Sequence, residues 1–246
     1  MVNTCCFIND AKEESVNTIL EMAEYKKTGS CKVLVVTGCM AQRYKNEIIE
    51  EVPEVDAVLG TTSYGDILKA IREAMEGKHF QEFKDIDYLP EKLGKRVLTT
   101  GGHFGYLKIA EGCDKHCTYC IIPYARGPVR SLSLEQAVEQ TRQLAAEGYR
   151  EIVLTGIEIS SWGHDFKNGQ SLIDLLEALS AAAPEVRLRL GSLEPRTVTE
   201  DFCRRAAALP NLCPQFHLSM QSGCDATLKR MNRKYDTVRY LESVEL

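Results

Sequence analysis

Cys113-Asp-Lys-His-Cys117-Thr-Tyr-Cys120 decides how this chain folds and what it can do, because it places three cysteines on one short run. The gaps between the cysteines are three residues and two residues. The run follows the alternating segment Tyr106-Leu-Lys-Ile-Ala and the turn Glu111-Gly112. Alternation of apolar and polar side chains is typical of a half-buried β-strand. The pattern therefore predicts a cysteine loop at the end of a strand.

Three thiolates at this spacing can hold three corners of a 4Fe–4S cube. The fourth corner has no cysteine, so one iron stays open to an external ligand. The alternative is a structural zinc site, which normally takes four protein ligands in paired knuckles. His116 lies between two of the cysteines, but the adjacent Cys117 makes it awkward for both to bind one ion, and no second knuckle follows. The spacing therefore favours the iron–sulfur cluster.

With its flanks, this run resembles the radical S-adenosylmethionine (SAM) methylthiotransferases. The matching flanks are Tyr106-Leu-Lys-Ile-Ala-Glu-Gly before it, and Ile121-Ile-Pro-Tyr-Ala-Arg-Gly and Arg130-Ser after it. The resemblance covers essentially the whole chain. It implies that Cys113, Cys117 and Cys120 are the catalytic cluster ligands, that SAM binds the open iron, and that an electron splits its sulfonium. It also implies that Tyr119 contacts the cofactor.

Composition fits a globular protein that works with metal or redox chemistry. The chain has 246 residues, of which 44% are hydrophobic and 26% charged, and no apolar run reaches the length of a membrane span. The first residues lack the features of a signal peptide, so we expect a cytoplasmic protein with no membrane partner. In a reducing compartment, ten cysteines indicate metal binding or redox work rather than disulfides. A net charge of −5 argues against a tight, non-specific grip on nucleic acid.

The first 76 residues alternate between predicted strands and helices, which favours a small open α/β sheet. Predicted strands are residues 32–37 and 55–60, and predicted helices are residues 40–51 and 63–75. An earlier helix is expected to be capped by Asn9 or Asp10. Its predicted apolar face consists of Val16, Ile19, Leu20 and Ala23, and that of the 63–75 helix of Ile67, Leu68, Ile71 and Met75.

Two further cysteines, Cys5 and Cys39, lie where such a sheet places its ligand sites, just past the ends of strands. Taken from the residues alone, a buried free thiol is the favoured reading of each. The resemblance implies instead that they bind an auxiliary 4Fe–4S cluster with a third cysteine from an earlier strand. No residues upstream of Met1 carry that cysteine, so the chain is expected to be truncated at its N-terminus. Cys6 and Cys31 are expected to be structural.

Residues 77–104 are polar, contain glycines and a proline, and show no periodicity, so they are predicted to be a linker. Residues 105–246 repeat strand and helix, which predicts a partial (β/α) barrel. The resemblance implies a six-stranded radical SAM barrel followed by an RNA-binding β-barrel. The last two of those six strands and the RNA-binding β-barrel are absent from this sequence, so a C-terminal truncation is expected as well. The predicted strands are residues 105–110, 151–155, 187–190 and 215–220.

Polar residues at the predicted strand ends are candidates for SAM contacts, because ligands bind at this end of such barrels. Gly156 and Glu158 follow the second strand, and Glu194 follows the third. Both carboxylates could accept hydrogen bonds from the SAM amino group or ribose. Arg126 and Arg130 could pair with its carboxylate, since a guanidinium suits bidentate binding. Each could equally be satisfied by local backbone. Further polar candidates at this end are Ser192, His217, Gln221 and Ser222.

The dense basic run near the C-terminus has two readings. It could meet RNA phosphates, or it could be a solvated helix end at which cations are favourable. Its members are Lys229, Arg230, Arg233 and Lys234.

The resemblance implies insertion of a methylthio group into an unactivated C–H bond, but the two halves point to different substrates. Residues 1–123 look most like the branch that modifies an aspartate of a small-subunit ribosomal protein. Residues 124–246 look most like the branch that acts on threonylcarbamoyladenosine in tRNA. The tRNA reading is slightly favoured, because the later strands help to line the substrate mouth. A flavodoxin or ferredoxin would be the electron donor. A non-catalytic iron–sulfur or zinc-binding fragment is the alternative from another class.

Overall fold

The computed structural model describes residues 1–88 and 102–246, which form two compact units. The first unit contains residues 1–88 and Cys120–Gly127. The second contains residues 102–119 and Pro128–Leu246. Each unit has its own α/β sheet, so the predicted fold class is confirmed. The described part of the chain contains no helix long and apolar enough to cross a membrane.

The first unit is built on a four-stranded parallel sheet. Its strands are β1 (Val2–Thr4), β2 (Val35–Gly38), β3 (Ala57–Leu59) and β4 (Phe80–Glu82), and they lie side by side in that order. Val36 pairs with Val2 on one side and Val58 on the other. All four residues of β2 are buried. A sheet covered on both faces needs this kind of continuous apolar strand.

Helices cover both faces of this sheet. They are α1 (Asn9–Thr28), α2 (Cys39–Tyr44), α3 (Glu47–Glu51), α4 (Ile67–Met75) and α5 (Ile122–Arg126). The predicted single helix over residues 40–51 is wrong, because the chain breaks at Lys45, whose φ is +45°. The predicted helix over residues 63–75 is one 3-10 turn, Tyr64–Asp66, followed by α4.

The predicted apolar faces of α1 and α4 are only partly correct. In α1 the buried residues are Ser15, Ile19 and Ala23, while Val16 and Leu20 are exposed. The predicted side-chain cap is also wrong, since the N-cap residue is Ile8 and it makes no side-chain hydrogen bond. In α4 the small residues Ala70 and Ala74 are buried and Leu68 and Met75 are exposed, because the helix packs closely on the sheet through its alanines.

The predicted linker over residues 77–104 contains structure at both ends. Strand β4 pairs in parallel with β3, and Phe80 is buried beneath α4. The next strand begins at Phe104. Only one large apolar side chain marks β4, so the sequence carried no alternation by which to recognise it. Residues 89–101 of the predicted linker lie outside the described residues.

The second unit has a four-stranded sheet in the order β6, β5, β7, β8. The parallel strands are β5 (Phe104–Glu111), β7 (Glu151–Gly156) and β8 (Arg187–Leu190), and the short β6 (Arg130–Ser131) is antiparallel to β5. Helices α6 (Leu134–Ala146), α7 (Leu172–Ala182) and α8 (Glu200–Ala207) follow in the chain. The core joins Leu107, Leu154 and Leu188 of the strands to the buried leucines of α7.

Capping residues define the helix starts of the second unit. The Ser133 hydroxyl accepts a hydrogen bond from the Gln136 N–H at 3.2 Å at the start of α6. Asp174 accepts from the Ser171 N–H at 2.7 Å at the start of α7. Such caps satisfy backbone donors that a helix start leaves without partners. Gly148, just past α6, has a φ of +92°, as a C-terminal glycine should.

The fourth predicted barrel strand, residues 215–220, is much shorter than expected. Only β10 (His217–Leu218) forms, and it pairs in parallel with β9 (Ser192–Leu193) as a separate two-stranded sheet. The N–H of Cys213 donates to Leu188 O at 2.7 Å, and Pro214 then interrupts the pairing because it has no N–H to donate. Two helices, α9 (Asp225–Arg230) and α10 (Thr237–Glu245), complete the second unit.

Candidate functional site

The cysteine loop, residues 112–120, begins where β5 ends and contains no helix or strand. Gly112 has a φ of +72°, which lets the chain turn sharply off the strand. Cys113 and Cys117 are half-buried within it, and the half-buried Cys120 opens the segment that belongs to the first unit. None of the ten cysteines of the chain forms a disulfide.

The donor chemistry of the loop suits an iron–sulfur cluster. Cysteine thiolates are the ligands such clusters take, and Arg233 Nη1 donates to Cys117 Sγ at 3.1 Å. This contact places a positive charge beside one of the three cysteine sulfurs. Within residues 1–88 and 102–246, no three Cys, His, Asp or Glu side chains are already grouped at metal-binding spacing. The loop therefore has the right ligands, and cluster binding would have to draw the sulfurs together.

Lys115, in the middle of the cysteine loop, forms ion pairs with Glu158 and Glu194, the two carboxylates predicted to contact SAM. Its ammonium lies 2.8 Å from Glu194 Oε2 and 3.6 Å from Glu158 Oε2. Glu194 also accepts from Arg196 Nε at 2.6 Å, and its own N–H donates to Ser160 Oγ at 2.9 Å. The structure thus brings Glu158 and Glu194 together, and it shows that they hold the loop through a lysine that the sequence analysis missed.

Glu194 is ionised in this arrangement although it is buried. Burial alone would raise the pKa of its carboxyl, but hydrogen bonds from Arg196 and Lys115 outweigh burial and lower that pKa. Glu158 is fixed locally: its Oε1 accepts from the Ser160 N–H at 2.9 Å, and its Oε2 accepts from the Ser161 hydroxyl. Both carboxylates retain lone pairs for a further donor, so their predicted contact with SAM stays a prediction.

The remaining candidates of the second unit have structural partners as well. Tyr119 OH donates to Gln221 Oε1 at 3.2 Å. A Cβ at Gly156 would come within 2.9 Å of Ala110 O, so a glycine is needed there for β5 and β7 to pack. Arg130 is buried, and its Nη1 donates to Pro128 O at 2.9 Å. Ser192 Oγ and His217 Nδ1 lie 2.7 Å apart across the β9–β10 pair. Roles of these residues towards SAM stay predictions.

In the first unit, Cys5 and Cys39 lie at the ends of adjacent strands, as predicted. Cys5 follows β1 and is exposed, and Cys39 follows β2 and begins α2. The Cys5 N–H donates to Ser15 Oγ at 3.0 Å, and the Ser15 hydroxyl donates to Cys5 O at 3.2 Å. Gly38 has a φ of +101°, and a Cβ there would be 2.4 Å from Thr4 O. Only glycine therefore permits this approach of the two strand ends. We call Cys5 and Cys39 the strand-end site.

Arg126 contacts a cysteine of the first unit. Its Nε donates to Cys39 Sγ at 3.1 Å within the first unit, so the structure assigns it a cysteine partner. A pairing of Arg126 with the SAM carboxylate stays a prediction.

Cys6 was expected to be structural, and it is 1% exposed. Burial, together with the nearby Cys39, raises the pKa of its thiol. These features fit an inert thiol in the core.

Comparison with known families identifies what this pair of units resembles. The radical SAM superfamily matches residues 107–246, and an uncharacterized protein family, UPF0004, matches residues 1–60. The cofactors predicted for the cysteine loop, a 4Fe–4S cluster and SAM, agree with the superfamily match.

Curated relatives share one activity in their names. A ribosomal protein uS12 methylthiotransferase RimO of Lachnoclostridium phytofermentans is 48% identical over 95% of this chain and 53% of its own length. The RimO protein of Clostridioides difficile is 38% identical over 100% of this chain and 55% of its own length. The chain therefore spans about half the length of the curated relatives it matches.

Solved structures share the fold at low sequence identity. The radical SAM methyltransferase TsrM of Kitasatospora setae superposes with a TM-score of 0.66 at 14% identity, over 92% of this chain and 49% of that chain. The cobalamin-dependent SAM radical enzyme OxsB gives 0.61 at 15% identity, over 96% and 37%. The predicted partial radical SAM barrel is confirmed.

Proposed function

The chain belongs to the radical SAM superfamily, and we propose that it is a methylthiotransferase that modifies an aspartate of ribosomal protein uS12. The observation that carries this proposal is the 48% identity, over 95% of the chain, to a uS12 methylthiotransferase. The relatives support the ribosomal-protein alternative over the tRNA reading that the sequence slightly favoured.

Charge also supports a protein substrate. The net charge of −5 is unfavourable for holding a phosphate backbone. Within the basic run, Arg233 is directed at Cys117 rather than at solvent, and the Lys234 ammonium lies 2.6 Å from Asn232 Oδ1. Two of the cations that suggested RNA binding therefore have partners within the second unit.

Cys113, Cys117 and Cys120 would hold the SAM-binding cluster, and Cys5 and Cys39 would supply two ligands of an auxiliary cluster. When bound, these groups supply reductive cleavage of SAM, removal of a hydrogen atom from an unactivated C–H bond, and the sulfur that replaces it. The assignment rests on the spacing of the three cysteines and on the thiolate donor set. A one-electron donor of the flavodoxin or ferredoxin class would be the redox partner.

The chain's own residues position this chemistry. Lys115 ties the cysteine loop to Glu158 and Glu194 at the ends of the sheet strands. Glu194 is buried and Glu158 half-buried, and the carboxyl oxygens of both can also accept hydrogen bonds from the cationic amino group of SAM. Arg126 holds Cys39 at the strand-end site.

The test is a parallel assay of two substrates. The full chain is reconstituted anaerobically with iron and sulfide, and incubated with SAM, a reductant and either uS12 or unmodified tRNA. We expect mass spectrometry to find one added methylthio group on an aspartate of uS12, and a chain with all three loop cysteines changed to alanine to add none. Modification of tRNA but not uS12 would contradict the proposed substrate. Stoichiometric zinc with no SAM cleavage would contradict the enzyme.

A further inference from the structure

A short segment that begins at the last residue of α9 forms several hydrogen bonds with the cysteine loop. We call residues 230–233 the clasp segment. The Thr118 N–H donates to Met231 O at 3.2 Å, and the Thr118 hydroxyl donates to Arg230 O at 2.9 Å. Asn232 Nδ2 donates to His116 O at 2.8 Å. Arg233 Nη1 donates to Cys117 Sγ at 3.1 Å. Three successive loop residues, His116, Cys117 and Thr118, are therefore hydrogen-bonded to the clasp segment.

The backbone at this contact is unusual on both sides. His116 has a φ of +47° and Asn232 a φ of +56°, both in the left-handed region that most residues avoid. Asparagine tolerates this region better than most residues. A strained conformation persists only where its surroundings fix it. Here each strained residue is bonded to the other, so the side chain of Asn232 fixes the carbonyl of His116, one residue before a cluster ligand.

The Arg233 side chain is held in place by an aromatic ring. Its guanidinium lies 5.1 Å from the centre of the Tyr235 ring, a cation–π distance. Tyr235 is 7% exposed, and its hydroxyl donates to Ser219 O at 2.5 Å. Because its aromatic support is anchored in this way, the guanidinium has little freedom to leave Cys117 Sγ.

We propose that the clasp segment is a positioning element for the cluster loop, in which Asn232 fixes the backbone and Arg233 sets the reduction potential of the cluster held by Cys117. This inference rests on the proposed assignment of Cys113, Cys117 and Cys120. It replaces the two readings of the basic run, RNA contact and solvated helix end, for Arg233.

The electrochemical consequence has a definite sign. A cluster held by the loop cysteines would accept one electron from an external one-electron donor, with no bond made or broken. A fixed positive charge stabilises the more negative, reduced form. Arg233 therefore raises the potential and makes reduction by a weak donor easier. Loss of its charge should move the potential to more negative values.

The backbone role is tested on the chain without a cluster. Hydrogen exchange of the Thr118 amide reports its bond to Met231 directly. We expect exchange to become about tenfold faster in Asn232→Asp, which keeps the size of the side chain but cannot donate to His116 O, corresponding to about 1.4 kcal/mol. Lys229→Met is the matched control, because this exposed lysine belongs to the same basic run. An unprotected Thr118 amide in the unaltered chain, or equal exchange in Asn232→Asp and Lys229→Met, would overturn this role.

The electrostatic role is tested after anaerobic reconstitution, by a redox titration of the cluster followed by electron paramagnetic resonance. We expect Arg233→Met to have a more negative potential at unchanged iron content, and Arg233→Lys, which keeps the charge, to stay close to the unaltered chain. An unchanged potential in Arg233→Met would overturn the proposal. If Arg233→Met fails to bind iron, the neutral but polar variant Arg233→Gln decides, and an unchanged potential in Arg233→Gln would overturn the proposal.

These readouts are independent of the substrate. A shifted potential with no product on uS12 would leave the clasp standing and contradict the proposed function. An unchanged potential in Arg233→Met, with product formed on uS12, would overturn the clasp and support the proposed function.

Discussion

The cysteine loop and the strand-end site present candidate cluster ligands, all of them cysteine thiols, in two opposite ways. In the loop, Cys113 and Cys117 lie on irregular backbone, and residues distant in sequence hold that backbone in place: Glu194 through Lys115, and Asn232 through His116. In the strand-end site, Cys39 begins a helix directly after a buried strand. There the sheet itself fixes the ligand.

Each site nevertheless places an arginine N–H 3.1 Å from a cysteine sulfur, Arg233 at Cys117 and Arg126 at Cys39. What differs is how the rest of the site is built. The position of a cysteine on irregular backbone depends on hydrogen bonds from residues distant in sequence. The position of a cysteine at a strand end depends on backbone packing. The two sites should therefore fail through different kinds of substitution.

The largest expected effect separates the chemistry of the sites. Cys117→Ala should reduce SAM cleavage to the background level, because a cluster cannot be held by the remaining pair of loop cysteines. Cys39→Ala should lower the iron content but leave 5′-deoxyadenosine formation intact. Iron analysis and chromatography of the SAM products measure the two quantities.

Cys203→Ala, in α8, is the control and should change neither. Equal loss of SAM cleavage in Cys117→Ala and Cys39→Ala would remove the distinction between the sites.

The next effect tests backbone packing at the strand-end site. Gly38→Ala places a Cβ 2.4 Å from Thr4 O on a residue whose φ is +101°. Strain and overpacking together should lower the free energy of unfolding by about 2–4 kcal/mol, as measured by denaturant titration. Gly65→Ala is the control, because no heavy atom lies within 4 Å of its added Cβ. Equal stability of the two variants would contradict the close approach.

A smaller effect tests the side-chain bonds of the cysteine loop. Lys115→Met removes one of the two cationic partners of Glu194 and leaves Arg196 as the other. It should lower the free energy of unfolding by about 1–3 kcal/mol at pH 7. The lowered pKa of Glu194 stabilises the fold above the unfolded value of about 4.3, and this contribution is lost as the pH falls through the folded value. Without Lys115 the folded pKa rises, so the variant should begin to lose stability at a higher pH than the unaltered chain.

Denaturant titrations across this pH range measure the difference between the two chains, which should be largest near pH 7 and vanish below both pKa values. Arg196 and Tyr235 also face Glu194 and are unchanged in both chains. Arg204→Met, in an exposed ion pair with Asp201, should cost about 0–1 kcal/mol. A pH-independent difference for Lys115→Met would show that the charge on Glu194 is not involved.

The smallest effect concerns the support of Cys5. Ser15→Ala removes the hydroxyl that bonds both the N–H and the carbonyl of Cys5, and should cost about 1 kcal/mol in denaturant titration. Thr18→Ala, whose hydroxyl is bonded to Glu14 O on the exposed side of the same helix, should cost less. A larger cost for Thr18→Ala would mean that Ser15 is not a support.

The candidate ligands could be proposed from sequence because their spacing is local, whereas the residues that support them are distant in sequence. The Lys115–Glu194 bond spans 79 positions, and the Asn232–His116 bond spans 116. No periodicity relates residues so far apart. Ser15 was overlooked for another reason: it lies outside the apolar face predicted for α1, where a serine is expected to be solvated, and only its hydrogen bonds to Cys5 show its role.

Fold class was predictable because buried runs such as that ending in β2 and alternating segments such as β5 have distinct patterns. Short elements were not. Strand β4 has one buried aromatic residue, Phe80, and β10 has two residues, so pairing with a neighbour rather than intrinsic pattern defines them. The exposure of Val16 and Leu20 in α1 likewise depends on how that helix packs, which periodicity alone does not specify.

The most direct test of the central claim is the electron paramagnetic resonance spectrum of the reconstituted, reduced chain before and after SAM is added. If the loop cysteines hold a cluster with one open iron, SAM should change the signal, and Cys39→Ala should show the same change. A spectrum that SAM leaves unaltered, or a chain that binds no iron, would contradict the account.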